Sequence, residues 1–188
     1  MACLTKIQSA IVYDCDGGNT GLLSALLINK EDIASITFDS TNPALVTTIT
    51  LKDGASAYKI DTPKRTLVTT EALKINEGAP NAYTHTATVV VTSAVASALF
   101  RDLINPVANG SFVILTKALK SVGSTLMGDT ARPFGLYYGM SATAVDRSSH
   151  DNGAWFTITM ATPERVIGED ALTLNIGNYN VLYDAAVG

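Results

Sequence analysis

Apolar residues along this chain recur mostly with a period of two, in runs of four to ten broken by turn formers. That period places alternate side chains on opposite faces of an extended segment and predicts strands. The run from Ile7 to Asp14 is one, stopped at Asp16-Gly17-Gly18-Asn19. Ile33 to Phe38 alternates, with Ile33, Ser35 and Thr37 on one side and Ala34, Ile36 and Phe38 on the other. Val46 to Leu51 follows Pro43 and ends at Lys52-Asp53-Gly54, a tight-turn signal. Leu22 to Asn29 is ambiguous: Leu22, Leu23, Leu26 and Leu27 fall at helical spacing, yet the segment is short enough for a buried strand.

Between Tyr58 and Val91 the pattern stays alternating but threonine replaces many large apolar residues. Tyr58 to Asp61, Arg65 to Ile75 and Ala82 to Val91 read as strands, the last two joined by Asn76-Glu77-Gly78-Ala79-Pro80-Asn81 into a long antiparallel pair. A β-branched side chain suits the pleat while its hydroxyl tolerates water, so this stretch predicts a partly solvated sheet. The period then changes. Val95, Leu99 and Leu103, flanked by Ala96, Phe100 and Ile104, predict a helix over 93–104 with Thr92 and Ser93 as caps. Asn105-Pro106 is expected to end it, because the residue before proline is driven out of the α region.

Asn109-Gly110 turns into the apolar run Phe112 to Leu115, a candidate buried strand, and a loop is expected over 117–133. Next comes a wide hairpin from Arg132 to Val145 and from Ala154 to Met160, turning at His150-Asp151-Asn152-Gly153. Its concentration of aromatic residues and methionines makes this hairpin the expected centre of the core, within an organising stretch from Thr92 to Thr162. Thr162-Pro163-Glu164 leaves the sheet, Ala171 to Ile176 predicts a last strand, and 177–188 reads as an apolar C-terminal tail that docks on its own or a neighbouring copy. The expected fold is thus a single mainly β domain over 1–188, an antiparallel sandwich or barrel with one flanking helix near 93–104.

Composition alters this picture in one respect. Of 188 residues only 16% are charged while 47% are hydrophobic, leaving too few charges to coat an isolated copy, so part of the surface is expected to be interface. A chain of this length can bury roughly 70% of its unfolded surface, so it does not need disulfides. A net charge of -4, with 13 scattered basic residues, argues against a surface that grips nucleic acid. No run approaches the ~18 apolar residues of a membrane span. Met1-Ala2-Cys3-Leu4-Thr5-Lys6 lacks the order of a signal peptide, which places the chain in the cytosol or in something assembled there. Cys3 and Cys15 have no histidines at ligand spacing and read as reduced packing residues.

Candidate chemistry is thin. Ala10-Ile11-Val12-Tyr13-Asp14-Cys15-Asp16-Gly17-Gly18 resembles the first motif of haloacid-dehalogenase-type phosphatases, which implies Asp14 as nucleophile, Asp16 as acid/base and bound magnesium. Gly18 stands where that family has Thr, and the alternating helices and parallel strands of that fold are not predicted, so the run reads as a strand ended by a polar turn. A calcium loop counted from Asp14 would need Glu at the twelfth place, where Ala25 stands. His85, between threonines in a strand, and His150, in the hairpin turn, read as structural or solvated. Asn109-Gly110-Ser111 matches a glycosylation pattern but reads as a turn. No catalytic, cofactor-binding or metal-binding residue is assigned, and no enzyme is expected.

Some features together resemble phage tail-tube proteins, and specifically small virion proteins of phages and prophages of Bacteroides-type bacteria. They are Lys30-Glu31-Asp32-Ile33 before Ile36-Thr37-Phe38-Asp39, the passage from Leu99 to Leu115, and the aromatic-rich strand after Asp151-Asn152-Gly153. The resemblance implies a subunit forming stacked, hexameric rings whose lumen conducts DNA during ejection, in a virion assembled in the host bacterial cytoplasm. Its implied partners are its own copies, neighbouring tail or connector proteins and genomic DNA passing without specific binding, with no membrane and no cofactor. The 17–32 segment, the 117–133 loop and the 177–188 tail are then the expected contacts between copies, and Asp53, Asp61, Glu71 and Glu77 the candidate lumen acids. Two alternatives remain: another phage ring, connector or tail-terminator protein, and a virion β-sandwich binding or decoration module presenting Trp155 and Tyr138.

Overall fold

A computed structural model describes residues 22–60, 67–91, 106–118, 130–147 and 156–187. The expected strand at 7–14, the Asp14 and Asp16 pair, both cysteines, Asp61, the helix at 93–104, His150, the Asp151-Asn152-Gly153 turn and Trp155 lie outside them. The chain is mainly β, in two sheets that do not close into a barrel.

Eleven strands are described: β1 Leu22–Asn29, β2 Ile33–Phe38, β3 Leu45–Leu51, β4 Tyr58–Ile60, β5 Val68–Lys74, β6 Ala82–Val91, β7 Phe112–Ala118, β8 Thr130–Phe134, β9 Ser141–Arg147, β10 Phe156–Ala161 and β11 Thr173–Asn175. A larger sheet runs β2-β3-β11-β8-β7-β1-β4 and a smaller one β5-β6-β10-β9. Pairing is antiparallel except between β11 and β3. The helix α1 (Ile176–Asp184) follows β11 directly.

The central strands β1 and β7 of the larger sheet are buried on both faces, which resolves the ambiguity of Leu22 to Asn29. Along β1, Leu26 and Ile28 pack with Tyr179 and Leu182 of α1, whereas Ala25 joins Phe134, Met140, Ile158 and Met160 between the sheets. β7 divides likewise, Val113 and Leu115 toward the helix layer and Phe112 and Ile114 toward the smaller sheet. A strand covered on both faces has no polar side, so its sequence is a continuous apolar run that can mimic a helix. β1 lies between β7 and β4, and Ala25, Leu26 and Ile28 of the expected contact segment are core.

β2 shows how a bulge corrects simple alternation. Register shifts between Ile33 and Ser35, so Ile33 packs on the same core as Ile36 and Phe38 and not on the opposite face.

The expected strand from Arg132 to Val145 is two strands in different sheets. β8 pairs with β7 and β11, β9 pairs with β10, and residues 135–139 carry the chain across. Gly135 and Gly139 adopt φ of 72° and 75°, the left-handed region that a side chain disfavours, and Gly139 N–H donates to the Gly135 carbonyl at 2.9 Å. A Cβ at Gly139 would stand 1.9 Å from Ser111 Oγ. The 117–133 loop is shortened from both ends, since 117–118 belong to β7 and 130–133 to β8, with Lys117 opposite Ala131.

The helix expected at 93–104 and its end at Asn105 lie outside the described residues, which resume at Pro106. Residues 106–109 are helical and Gly110 N–H donates to the Pro106 carbonyl at 2.7 Å. Proline lacks only the N–H that the first turn of a helix leaves unused, so it is compatible there.

The tail expected at 177–188 is instead mostly helix, packed on the chain's own larger sheet. Asn175 caps it by accepting from Gly177 N–H at 2.8 Å. Asn178 Oδ1 accepts from the Ile49 amide at 3.0 Å, acting as a strand neighbour for β3, and Tyr179 OH lies 2.8 Å from Ser24 Oγ. Past the helix, Val187 bridges to β4: Lys59 N–H donates to Val187 O at 2.9 Å and Val187 N–H to Ala57 O at 3.0 Å.

Candidate functional site

Two features stand out once the layers are assembled: a buried polar cluster at the corner between the sheets, and the surface and edges of the smaller sheet.

The cluster is built around the 135–139 turn. Glu169, fully buried, accepts the Tyr137 and Tyr138 amides at 2.8 and 2.7 Å through its two carboxylate oxygens. Its own backbone exchanges two hydrogen bonds with Tyr83 on β6, both 2.8 Å, so the carboxylate is carried by the smaller sheet. Burial pushes the Glu169 carboxyl above its ordinary range, against the lowering pull of the two amides and of Lys30. His85, also on β6, accepts the Gly135 amide on Nδ1 at 3.0 Å, and burial holds its imidazole down to about 4. Glu71 Oε1 lies 3.8 Å from His85 Nε2, while Glu71 Oε2 meets Arg132 of β8 at 3.4 Å. Neither Glu71 Oε1 nor His85 Nε2 has a hydrogen-bond partner among the described residues.

Chemically this cluster positions a turn and offers no reacting pair. The Nδ1 acceptor bond fixes the imidazole proton on Nε2, so that nitrogen has no lone pair for a metal or a proton. No group of three or more metal-competent side chains occurs among the described residues. On the outside of the turn Tyr137 stacks on Phe38 with centroids 6.4 Å apart, and Tyr138 beside it is exposed.

The smaller sheet has one buried and one hydroxyl-rich face. His85, Ala87, Val89, Ile158 and Met160 point to the core, and by strand alternation Thr84, Thr86, Thr88, Thr157 and Thr159 point away, with Thr70 of β5 beside Thr86. Thr70 and Thr86 hydroxyls bond to each other. β5 and β9 are its outer strands. Edge strands are usually protected by charge, proline or bulges. β5 has seven residues, no proline, no bulge against β6, and two charges, both diverted: Glu71 turns toward Arg132 and His85, and the Lys74 ammonium donates to the Glu164 and Val166 carbonyls. Val68, Leu73 and, just beyond the strand, Ile75 are left at 56%, 60% and 77% exposure.

Of the acids expected along a lumen, Asp61 lies outside the described residues and the other three do not gather. Asp53 lies in the exposed turn after β3, Glu77 in the exposed turn after β5, and Glu71 faces inward, so the structure brings only Glu71 into the cluster, with His85. Glu169 was missed, its two partners lying more than 30 residues away. No family model matches the chain, and neither a curated protein nor a solved structure matches it.

Proposed function

We propose that this chain is a structural subunit that assembles through its own sheet edges into rings stacked as a tube, with the threonine-rich face of the smaller sheet toward a DNA-conducting lumen. The observation that carries the reading is the undefended β5 edge. A four-stranded, all-antiparallel sheet ending in β5 and β9 repeats by rotation with β9 of one copy antiparallel to β5 of the next, so a head-to-tail ring pairs every edge. A hydroxyl-rich surface that carries Asp146 beside Thr157, with the Lys74 ammonium tied to the Glu164 and Val166 carbonyls, on a chain of net charge -4 gives a polyanion little to adhere to. Six copies per ring, virion location and neighbouring tail proteins follow from the resemblance of the sequence to tail-tube proteins.

Negative-stain electron microscopy of the purified chain tests this reading: long uniform tubes are expected, and Val68→Lys with Ala72→Lys on β5 is expected to leave discrete folded particles. Discrete particles from the unaltered chain would instead favour a single-ring connector, or a binding module presenting exposed Tyr138 beside the Tyr137–Phe38 stack. Tubes unchanged by the two lysines would remove β5 from the interface.

A further inference from the structure

His85 holds the first amide of the turn that joins the two sheets, and it does so only while neutral. Its Nδ1 accepts Gly135 N–H at 3.0 Å, and a ring nitrogen accepts only when it carries no proton. The ring is 1% exposed, edge-on to Phe134 with centroids 5.2 Å apart, and its backbone is pinned on the other side by Thr162, whose amide donates to the His85 carbonyl at 2.9 Å. The charged groups around it come from three elements. Glu71 of β5 faces Nε2 at 3.8 Å, Arg132 of β8 holds the far oxygen of Glu71 at 3.4 Å, and Glu169 holds the Tyr137 and Tyr138 amides further along the turn. The Nε2–H and Glu71 Oε1, both unpartnered among the described residues, face each other across a gap slightly too long for a hydrogen bond.

We infer that His85 is an acid-sensitive latch on the 135–139 turn, in which a second proton on the imidazole sets Nδ1–H against Gly135 N–H and releases the turn at its Gly135 end. The proton comes from solvent and no covalent bond changes. Two donors face each other where a donor met an acceptor, and the imidazolium gains a partner in Glu71 by closing the 3.8 Å gap. The far end of the turn keeps a hold, because a protonated Glu169 still has a carbonyl oxygen to accept one amide. The loosened segment carries Tyr137 and Tyr138 and joins β8 to β9, so acid frees the corner at which the two sheets are tied. Burial, which holds the imidazole down to about 4 against an ordinary 6.5, sets the range: the latch is closed at neutral pH and opens progressively below about pH 6. This inference is independent of the assembly reading.

Hydrogen–deuterium exchange read by mass spectrometry tests it, with each peptide's rate divided by that of the unstructured chain at the same pH. Between pH 6 and pH 4 the protection of residues 135–140 is expected to fall at least about tenfold while β7 holds its protection, and in His85→Gln, which retains an acceptor, the fall is expected to vanish. Glu71→Gln, which removes the carboxylate awaiting the imidazolium, is expected to move the fall to lower pH and serves if His85→Gln does not fold. An equal fall in β7 and in the turn, or a fall that persists in His85→Gln, or one unmoved in Glu71→Gln, would overturn the inference.

Discussion

Removing the Glu169 carboxylate strands two backbone amides inside the protein, and the size of that loss can be worked from the geometry. The carboxylate is fully buried and accepts from Tyr137 and Tyr138 at 2.8 and 2.7 Å. Hydrogen bonds to a charged group contribute about 1.5–3 kcal/mol each, so two are worth roughly 3–6 kcal/mol. Part of this is returned, because alanine no longer keeps a carboxylate out of water; burial raising the Glu169 carboxyl above its ordinary range is the sign of that cost. A net loss of about 3 kcal/mol is expected for Glu169→Ala. Glu169→Gln keeps one acceptor oxygen but turns an NH₂ toward the other amide, so it should fall between the native chain and alanine. Urea unfolding at pH 7 followed by tyrosine and tryptophan fluorescence measures the series. A loss under about 1 kcal/mol for alanine, or glutamine costing more than alanine, would show that the turn is held by something other than this carboxylate. The pH dependence carries its own sign. A carboxyl whose folded pKa is raised binds its proton more tightly folded than unfolded, so its ionisation costs stability as pH rises through the ordinary carboxylate range, and Glu169→Gln should remove that part of the slope.

Gly139→Ala places a Cβ at φ of 75° and 1.9 Å from Ser111 Oγ, so a loss of about 2–3 kcal/mol is expected in thermal melts, with Ser111→Ala recovering part of it. Tyr179 is buried and pushed up to about 12, so its neutral form is favoured by the fold; stability should fall by about 3 kcal/mol as pH rises from 10 to 12, a fall that Tyr179→Phe removes in urea midpoints. At neutral pH Tyr179→Phe should cost only about 1 kcal/mol, the loss of its bond with Ser24.

Strands were legible wherever one face meets solvent, because alternation is then imposed on every second residue: β3, β5 and β6 lie where their patterns put them. The helix Ile176–Asp184 was not legible. Gly177, Asn178 and Asn180 are poor helix formers, and a nine-residue helix is marginal alone. Its signal was faint: Asn175 as a cap, then Ile176, Tyr179, Leu182 and Tyr183 at helical spacing. The partition of the Arg132–Val145 stretch was hidden for another reason. Gly135 and Gly139 announce a turn, but which sheet each flanking strand joins is set by β7 and β10, distant in sequence.

The polar cluster divides in the same way. His85 could be singled out from the sequence as a histidine in a strand, yet its partner amide at Gly135 and the opposing Glu71 come from other elements. The amino-acid pattern alone therefore determined that this chain is a β protein with a threonine-rich sheet, since side-chain periodicity is a local property. Tertiary packing alone decided that the central strands β1 and β7 are buried on both faces, that residues 176–184 fold into a covering helix, and that three amides of one turn hang on two titratable side chains. Those outcomes depend on which surfaces meet, and contacts between residues far apart in the chain leave no period to read.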